Sequence, residues 1–150
     1  MSEFQELERL LLSARGHLER ALDYLSRAET KSVVDMFFGG FVSFLIDLME
    51  YEDYRKAVRE IEYARSYLRK ARKYSHLIPS LRSSDLWLLL DVAFDSFFTD
   101  LLRHFRIMEA KRTVEDAIRE IDRALYELRT KRYLTPRETV IYGEEDTRIY

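Results

Sequence analysis

Three stretches of the chain share one rhythm of apolar positions. The first runs Ala14, Leu18, Ala21, Leu25, Ala28, and the second Ala57, Ile61, Ala64, Leu68, Ala71. The third runs Ala117, Ile121, Ala124, Leu128, and then Lys131 where the other two have an Ala. Steps of four and three alternate, so each set forms one seam along a helix face. Small and large residues alternate along the seam as well. An Ala lets two backbones approach closely while the Leu or Ile beside it fills the remaining space, which predicts tight, nearly antiparallel helix pairs.

Two other segments are apolar on most sides. "FVSFLIDL" at 41–48 matches "FDSFFTDL" at 94–101 at an offset of 53, and "AVREIEYA" at 57–64 matches "AIREIDRA" at 117–124 at an offset of 60. The difference, about two helical turns, lengthens the second copy without rotating its face. The chain therefore reads as an internally duplicated helical hairpin, each copy an apolar helix followed by a seam helix. The segment from Ser2 to Glu29 is an extra seam helix. The expected fold is all-α, a helical bundle of about five helices, with residues 1–136 as one domain and 137–150 as a short non-helical C-terminal tail or small hairpin.

Local signals set the expected boundaries. Ser32 with Asp35 reads as a cap, as do Ser84 or Asp85 and Thr113 with Asp116, and Asp53 stands where Thr113 stands in the other copy. "KYSHLIPSLRSSD" at 73–85 is the clearest loop. Neither the 49–56 nor the 106–113 junction holds a Gly or Pro. A helix continuous from 32 to 75 is therefore one alternative, but a kink or tight turn is expected because the phase slips: Phe44, Leu48 and Tyr51 lead on to Arg55, not to Ala57. Gly39 and Gly40 read as a close-approach notch or kink. Pro136 is expected to end the last helix, and "TVIYGEEDTRIY" at 139–150 offers two β-prone runs around Gly143 to Asp146.

The apolar stretches do not read as membrane spans. Val33 to Met49 is at the short limit and holds Asp35 and Asp47, while Leu86 to Leu102 holds Asp91, Asp95 and Asp100. Each central Asp costs about 2.5–3.5 kcal/mol on insertion scales, enough to cancel several Leu or Phe.

Charge adds a second exclusion. Charged residues are 35% of the chain and leave a net −2, which argues against a dedicated nucleic-acid binder. With no Cys, disulfides and thiolate metal sites are excluded. There is no Asn, and Gln5 is the only Gln, a depletion of thermolabile side chains that points to a thermophilic source. The N-terminus opens in a charged amphipathic pattern without signal-peptide architecture, so a cytoplasmic location is expected.

The candidate chemistry is sparse. Asp100 and His104 lie four apart on one helix, with Asp47 and Tyr51 at the matching positions of the other copy. A carboxylate beside an imidazole orients a metal ligand or holds a base in one tautomer. Helical carboxylate metal proteins use Glu-x-x-His motifs on paired helices, and the chain has none, so these residues read as a structural polar pair. His17 and His76 have no neighbouring carboxylate arranged as a ligand set, and His76 is expected to meet the last carbonyls of its helix. No Gly-rich phosphate loop is present. No catalytic residue, no metal site and no cofactor is expected.

Basic residues gather at equivalent helix ends: Arg65, Arg69, Lys70, Arg72 and Lys73 in one copy, Arg129, Lys131 and Arg132 in the other. The helix dipole favours that polarity. The same ends, with Tyr63, Tyr67 and Tyr74 nearby, would serve nucleic acid if they faced one side.

The apolar helices carry more than one oily face. Phe37, Phe41, Phe44 and Leu48 form one, while Phe38, Val42, Leu45 and Met49 spread over another. Leu88, Phe98 and Leu102 lie away from the main face at Leu90, Phe94, Phe97 and Leu101. The set Phe38, Val42, Leu45, Met49, Leu88, Phe98 and Leu102 is the expected interface of a homodimer. The sequence thus favours a non-enzymatic helical protein acting by self-association or as a protein-interaction module. The alternatives are a small-ligand or metal-binding bundle, enzymatic or not, and a nucleic-acid-associated accessory protein.

Overall fold

A computed structural model describes the backbone of residues 2–37, 41–94 and 107–144, and the side chains of 2–28, 52–94 and 107–131. Among the described residues every regular element is helical. Helix α1 spans Glu3–Phe37 and α2 spans Phe41–Arg72. A 3-10 turn at Ser75–Leu77 and the short helix α3 at Pro79–Arg82 follow. Helix α4, Leu86–Leu88, widens into a π-helical turn at Leu89–Ala93, and α5 spans Ile107–Glu144.

The three seams make the core. Every seam position from Ala14 to Leu128 is at most 1% exposed. Each seam also runs further toward its N-terminus than the alternation of small and large suggests. Leu7 and Leu11 precede Ala14, Tyr54 precedes Ala57, and Ile107, Ala110 and Val114 precede Ala117, all buried and all in the same three–four rhythm. Removing one such Leu or Ile down to Ala costs about 2–5 kcal/mol, because a close-packed interior refills the space only in part.

Helix α1 is the shared partner, packed along both α2 and α5. Cross-helix contacts fix the directions. Arg20 meets Glu60 while Tyr24 meets Lys56, and Glu8 meets Arg129 while Arg15 meets Asp122. Numbers rise on α1 as they fall on its neighbours, so α1 is antiparallel to both, as the Ala seams predict, and α2 and α5 run in the same direction.

The helices are longer than the local signals suggest. Helix α1 passes through Ser32 and Asp35 to Phe37, so Ser32 does not cap a helix start. From Glu29 to Phe37 there is no Gly or Pro to break the ladder, and a capping residue acts only where a helix already begins. Helix α2 is continuous across 49–56, without the expected kink, and Asp53 is a buried residue inside it. Tyr54 takes the seam position three before Ala57, which supplies the continuity that the Phe44–Leu48–Tyr51 line lacked. Thr113 likewise lies inside α5, its hydroxyl donating to the Glu109 carbonyl at 3.0 Å in place of any cap. Helix α5 also continues past Pro136 to Glu144, where the sequence predicts a stop and a tail or hairpin. A proline deletes one ladder bond but leaves later residues free to be helical, and a lone hairpin is marginal in water.

The loop at 73–85 is compact rather than open. Pro79 opens α3 at its first position, where a missing N–H costs nothing. The Ser84 hydroxyl accepts the Leu86 N–H at 2.9 Å and donates to Glu120 at 2.7 Å, which ties the start of α4 to α5, while Asp85 at the N-cap makes no side-chain cap bond. The Ser80 N–H donates to Glu127 at 3.0 Å. Lys131, the odd member of the third seam, donates its ammonium to the Leu77 carbonyl at 3.1 Å. It is this cation from α5, and not the exposed His76, that reaches the carbonyls beyond α2.

Candidate functional site

The described side chains offer two built features: an apolar face on α4 with the π turn that follows it, and a polar clasp between α1 and α2.

The α4 segment is anchored from within. Leu86, Leu90 and Phe94 point into the core, and Trp87 is nearly as deep, its indole N–H donating to the Leu81 carbonyl at 2.8 Å. A spacing of four drifts round an α-helix, and the wider π turn reverses the drift, so these three residues return to one inward line. The outward line carries Leu88 and Val92, which are 63% and 54% exposed. Met108, early in α5, is exposed too. Beside Leu88 lies an open groove of about 460 Å³, lined by Asp85, Leu88, Leu89, Asp116, Arg119 and Glu120. Its charges are of both signs and largely paired: Arg119 with Asp116, and Arg123 with Glu120 at 2.9 Å.

The clasp is centred on Glu60 of α2. His17 Nδ1 lies 2.7 Å from Glu60 Oε1, and Arg20 Nε donates to the same oxygen at 3.0 Å. Arg20 Nη2 is also 3.0 Å from His17 Nδ1, so that nitrogen either donates to Glu60 or accepts from Arg20; the shorter contact favours donation. The imidazole stacks on Tyr67 at 5.5 Å between ring centres and tilts against Tyr63 at 5.1 Å. Burial pushes the Glu60 carboxyl up, but the hydrogen bonds from His17 and Arg20 outweigh it and hold the group below the ordinary glutamate range. An imidazole held at Nδ1 by a carboxylate is the arrangement of a general base. However, neither the groove beside Leu88 nor a smaller one at Asp122, Leu125, Tyr126, Arg129 and Thr130 reaches it. Its geometry is that of a cross-helix tie.

Sequence reasoning missed this pair. The sequence shows no neighbouring carboxylate arranged as a ligand set around His17, because Glu60 is remote along the chain and comes near only through the helix pairing. The other sequence candidates fare unevenly. Phe38, Phe98, Leu102, Asp100 and His104 lie outside the described residues, as do the side chains of Val42, Leu45, Asp47, Met49, Tyr51 and Arg132. Leu88 is described, and is exposed.

The basic ends do fall at one end of the bundle, since α2 and α5 are parallel. Several of their charges are already engaged. Arg72 binds Asp91, Arg129 donates to Glu8 at 3.2 Å, and Lys131 is spent on the Leu77 carbonyl. Arg69 and Lys73 stand exposed without an ion pair among the described residues.

Among the described residues, no group of three or more His, Cys, Asp or Glu could hold a metal ion, and no helix is long and apolar enough to cross a membrane. Comparison with protein-family models, with curated proteins and with solved structures finds no match.

Proposed function

We propose that the protein acts without catalysis, by self-association, with a second copy covering the outward face of α4 and its π turn. One observation carries the reading: Leu88 and Val92 stand in solvent on a segment whose other side is fully engaged in the core. Exposed apolar patches mark interfaces, and these two side chains stand one turn apart on the same segment. A second copy fits better than an oppositely charged partner, because the charges beside Leu88 are largely paired within the chain, Arg119 with Asp116 and Arg123 with Glu120. The small net charge of −2 leaves little repulsion between copies. The other residues of the expected interface, Phe38, Val42, Leu45, Met49, Phe98 and Leu102, belong to the same proposal.

Internal duplication belongs to the same proposal. The matched segments of α2 and α5 are antiparallel to one shared helix and equally buried, which is what two copies of one element would do. A cytoplasmic, thermophilic setting fits the composition.

Native mass spectrometry of the full chain tests the proposal. It should show a homodimer free of ligand. A monomer carrying stoichiometric metal or a small molecule would replace it with the ligand-binding bundle, and co-purified oligonucleotide with the nucleic-acid accessory role.

A further inference from the structure

Arg72 closes α2 and reaches out of the seam core to the segment that carries Leu88 and Val92. Its Nη1 donates to both carboxylate oxygens of Asp91 at 3.0 Å, and its guanidinium carbon lies 5.3 Å from the centre of the Trp87 ring. Both partners belong to one stretch: Trp87 in α4, Asp91 at the middle of the π turn. Trp87 is itself fixed from the inside by its bond to the Leu81 carbonyl. A planar guanidinium that lies over one ring while one of its nitrogens reaches both oxygens of a carboxylate is constrained in direction by each.

We infer that Arg72 is the positioning residue of the docking face: it holds the π turn to the end of α2 and so fixes where Leu88 and Val92 stand. The inference rests on the self-association reading and adds the residue that tunes it. The π turn is the part that needs a hold, because its backbone pairing is rarer and less favourable than the α form it interrupts. With Asp91 held, Leu90 and Phe94 stay inward while Leu88 and Val92 stay outward. With Asp91 released, the turn relaxes toward α geometry and the outward pair rotates relative to the bundle. A Lys at position 72 keeps the charge but has no flat face to lay over the Trp87 ring.

The test uses the full chain with Arg72→Gln, Arg72→Lys, Asp91→Asn and the double variant Arg72→Gln/Asp91→Asn. Three quantities are read: the dimer dissociation constant by analytical ultracentrifugation, the emission of Trp87, which is the chain's one Trp, and the thermal midpoint. Each single variant should weaken the dimer by up to about fivefold, the scale of a half-exposed ion pair. The double variant should be no weaker than the singles, since one shared contact is lost only once. Arg72→Lys should not rescue, Trp87 emission should shift in the Arg72 variants, and the midpoint should stay close to that of the parent. Variants that dimerise as tightly as the parent overturn the inference and leave self-association standing. So do losses that simply add, or that follow a collapsed midpoint. A parent that is monomeric at every concentration defeats the self-association reading itself.

Discussion

His17 Nδ1 and Glu60 Oε1, 43 residues apart in the chain, meet at 2.7 Å across the α1–α2 seam. The contact ties two helices whose facing residues alternate small and large, and at Glu60 burial and hydrogen bonding work against each other. The winning side sets a pH dependence. Burial favours the protonated carboxyl, the hydrogen bonds from His17 and Arg20 favour the carboxylate, and the bonds prevail, so the folded-state value lies below the ordinary 4.5. The stabilisation is therefore fully present above the ordinary value and is lost as pH falls through the lower, folded one. Glu60→Gln should lower stability by about 1–2 kcal/mol at neutral pH and flatten the acid limb of the stability curve. Urea unfolding at neutral pH and near pH 3.5 checks both, and an unchanged midpoint at neutral pH would show that the tie does no work.

Ala64→Leu tests the seam. Ala64 is fully buried where α1 and α2 approach, so a larger side chain must push the helices apart. A loss of about 1–3 kcal/mol is expected, against at most about 0.5 kcal/mol for Glu62→Leu on the exposed side of the same turn. Equal effects from the two substitutions would mean that the seam is not close-packed.

The seams were legible in the sequence because their signal is a period sustained over several turns. Local signals were not reliable in the same way. Ser32, Asp53, Thr113 and Pro136 are residues that begin or end helices in many settings, yet each lies inside one here, because the ladder continues on both sides of it. The phase slip expected near Tyr51 depended on leaving out Tyr54, which is buried in line with Ala57. The His17–Glu60 pair and the π turn had no sequence signature. The first depends on which helices become neighbours, and the second on a wide turn that brings Asp91 within reach of Arg72.

Gly16→Ala should stabilise the protein. Gly16 lies in the interior of α1, where a glycine costs about 0.5–1 kcal/mol relative to alanine. An added methyl group would meet nothing closer than the end of the Arg20 side chain at 3.8 Å, an ordinary contact. Thermal unfolding followed by circular dichroism should show a higher midpoint, and a lower one would point to a tighter α1–α2 approach than the structure shows.

The basic helix ends should not bind nucleic acid tightly. Arg72, Arg129 and Lys131 are held by Asp91, Glu8 and the Leu77 carbonyl, and the net charge is −2. Fluorescence anisotropy with a random oligonucleotide should show no submicromolar, salt-sensitive complex. Such a complex, weakened by Arg69→Glu with Arg129→Glu, would restore the nucleic-acid reading.

The central claim is that a second copy covers the face at Leu88 and Val92. Light scattering coupled to gel filtration over a range of loading concentrations measures it most directly. The account predicts a mass near twice the 18.1 kDa of one chain, falling toward a single chain when Leu88 is replaced by Glu. A mass near 18.1 kDa for the parent at every concentration would contradict it.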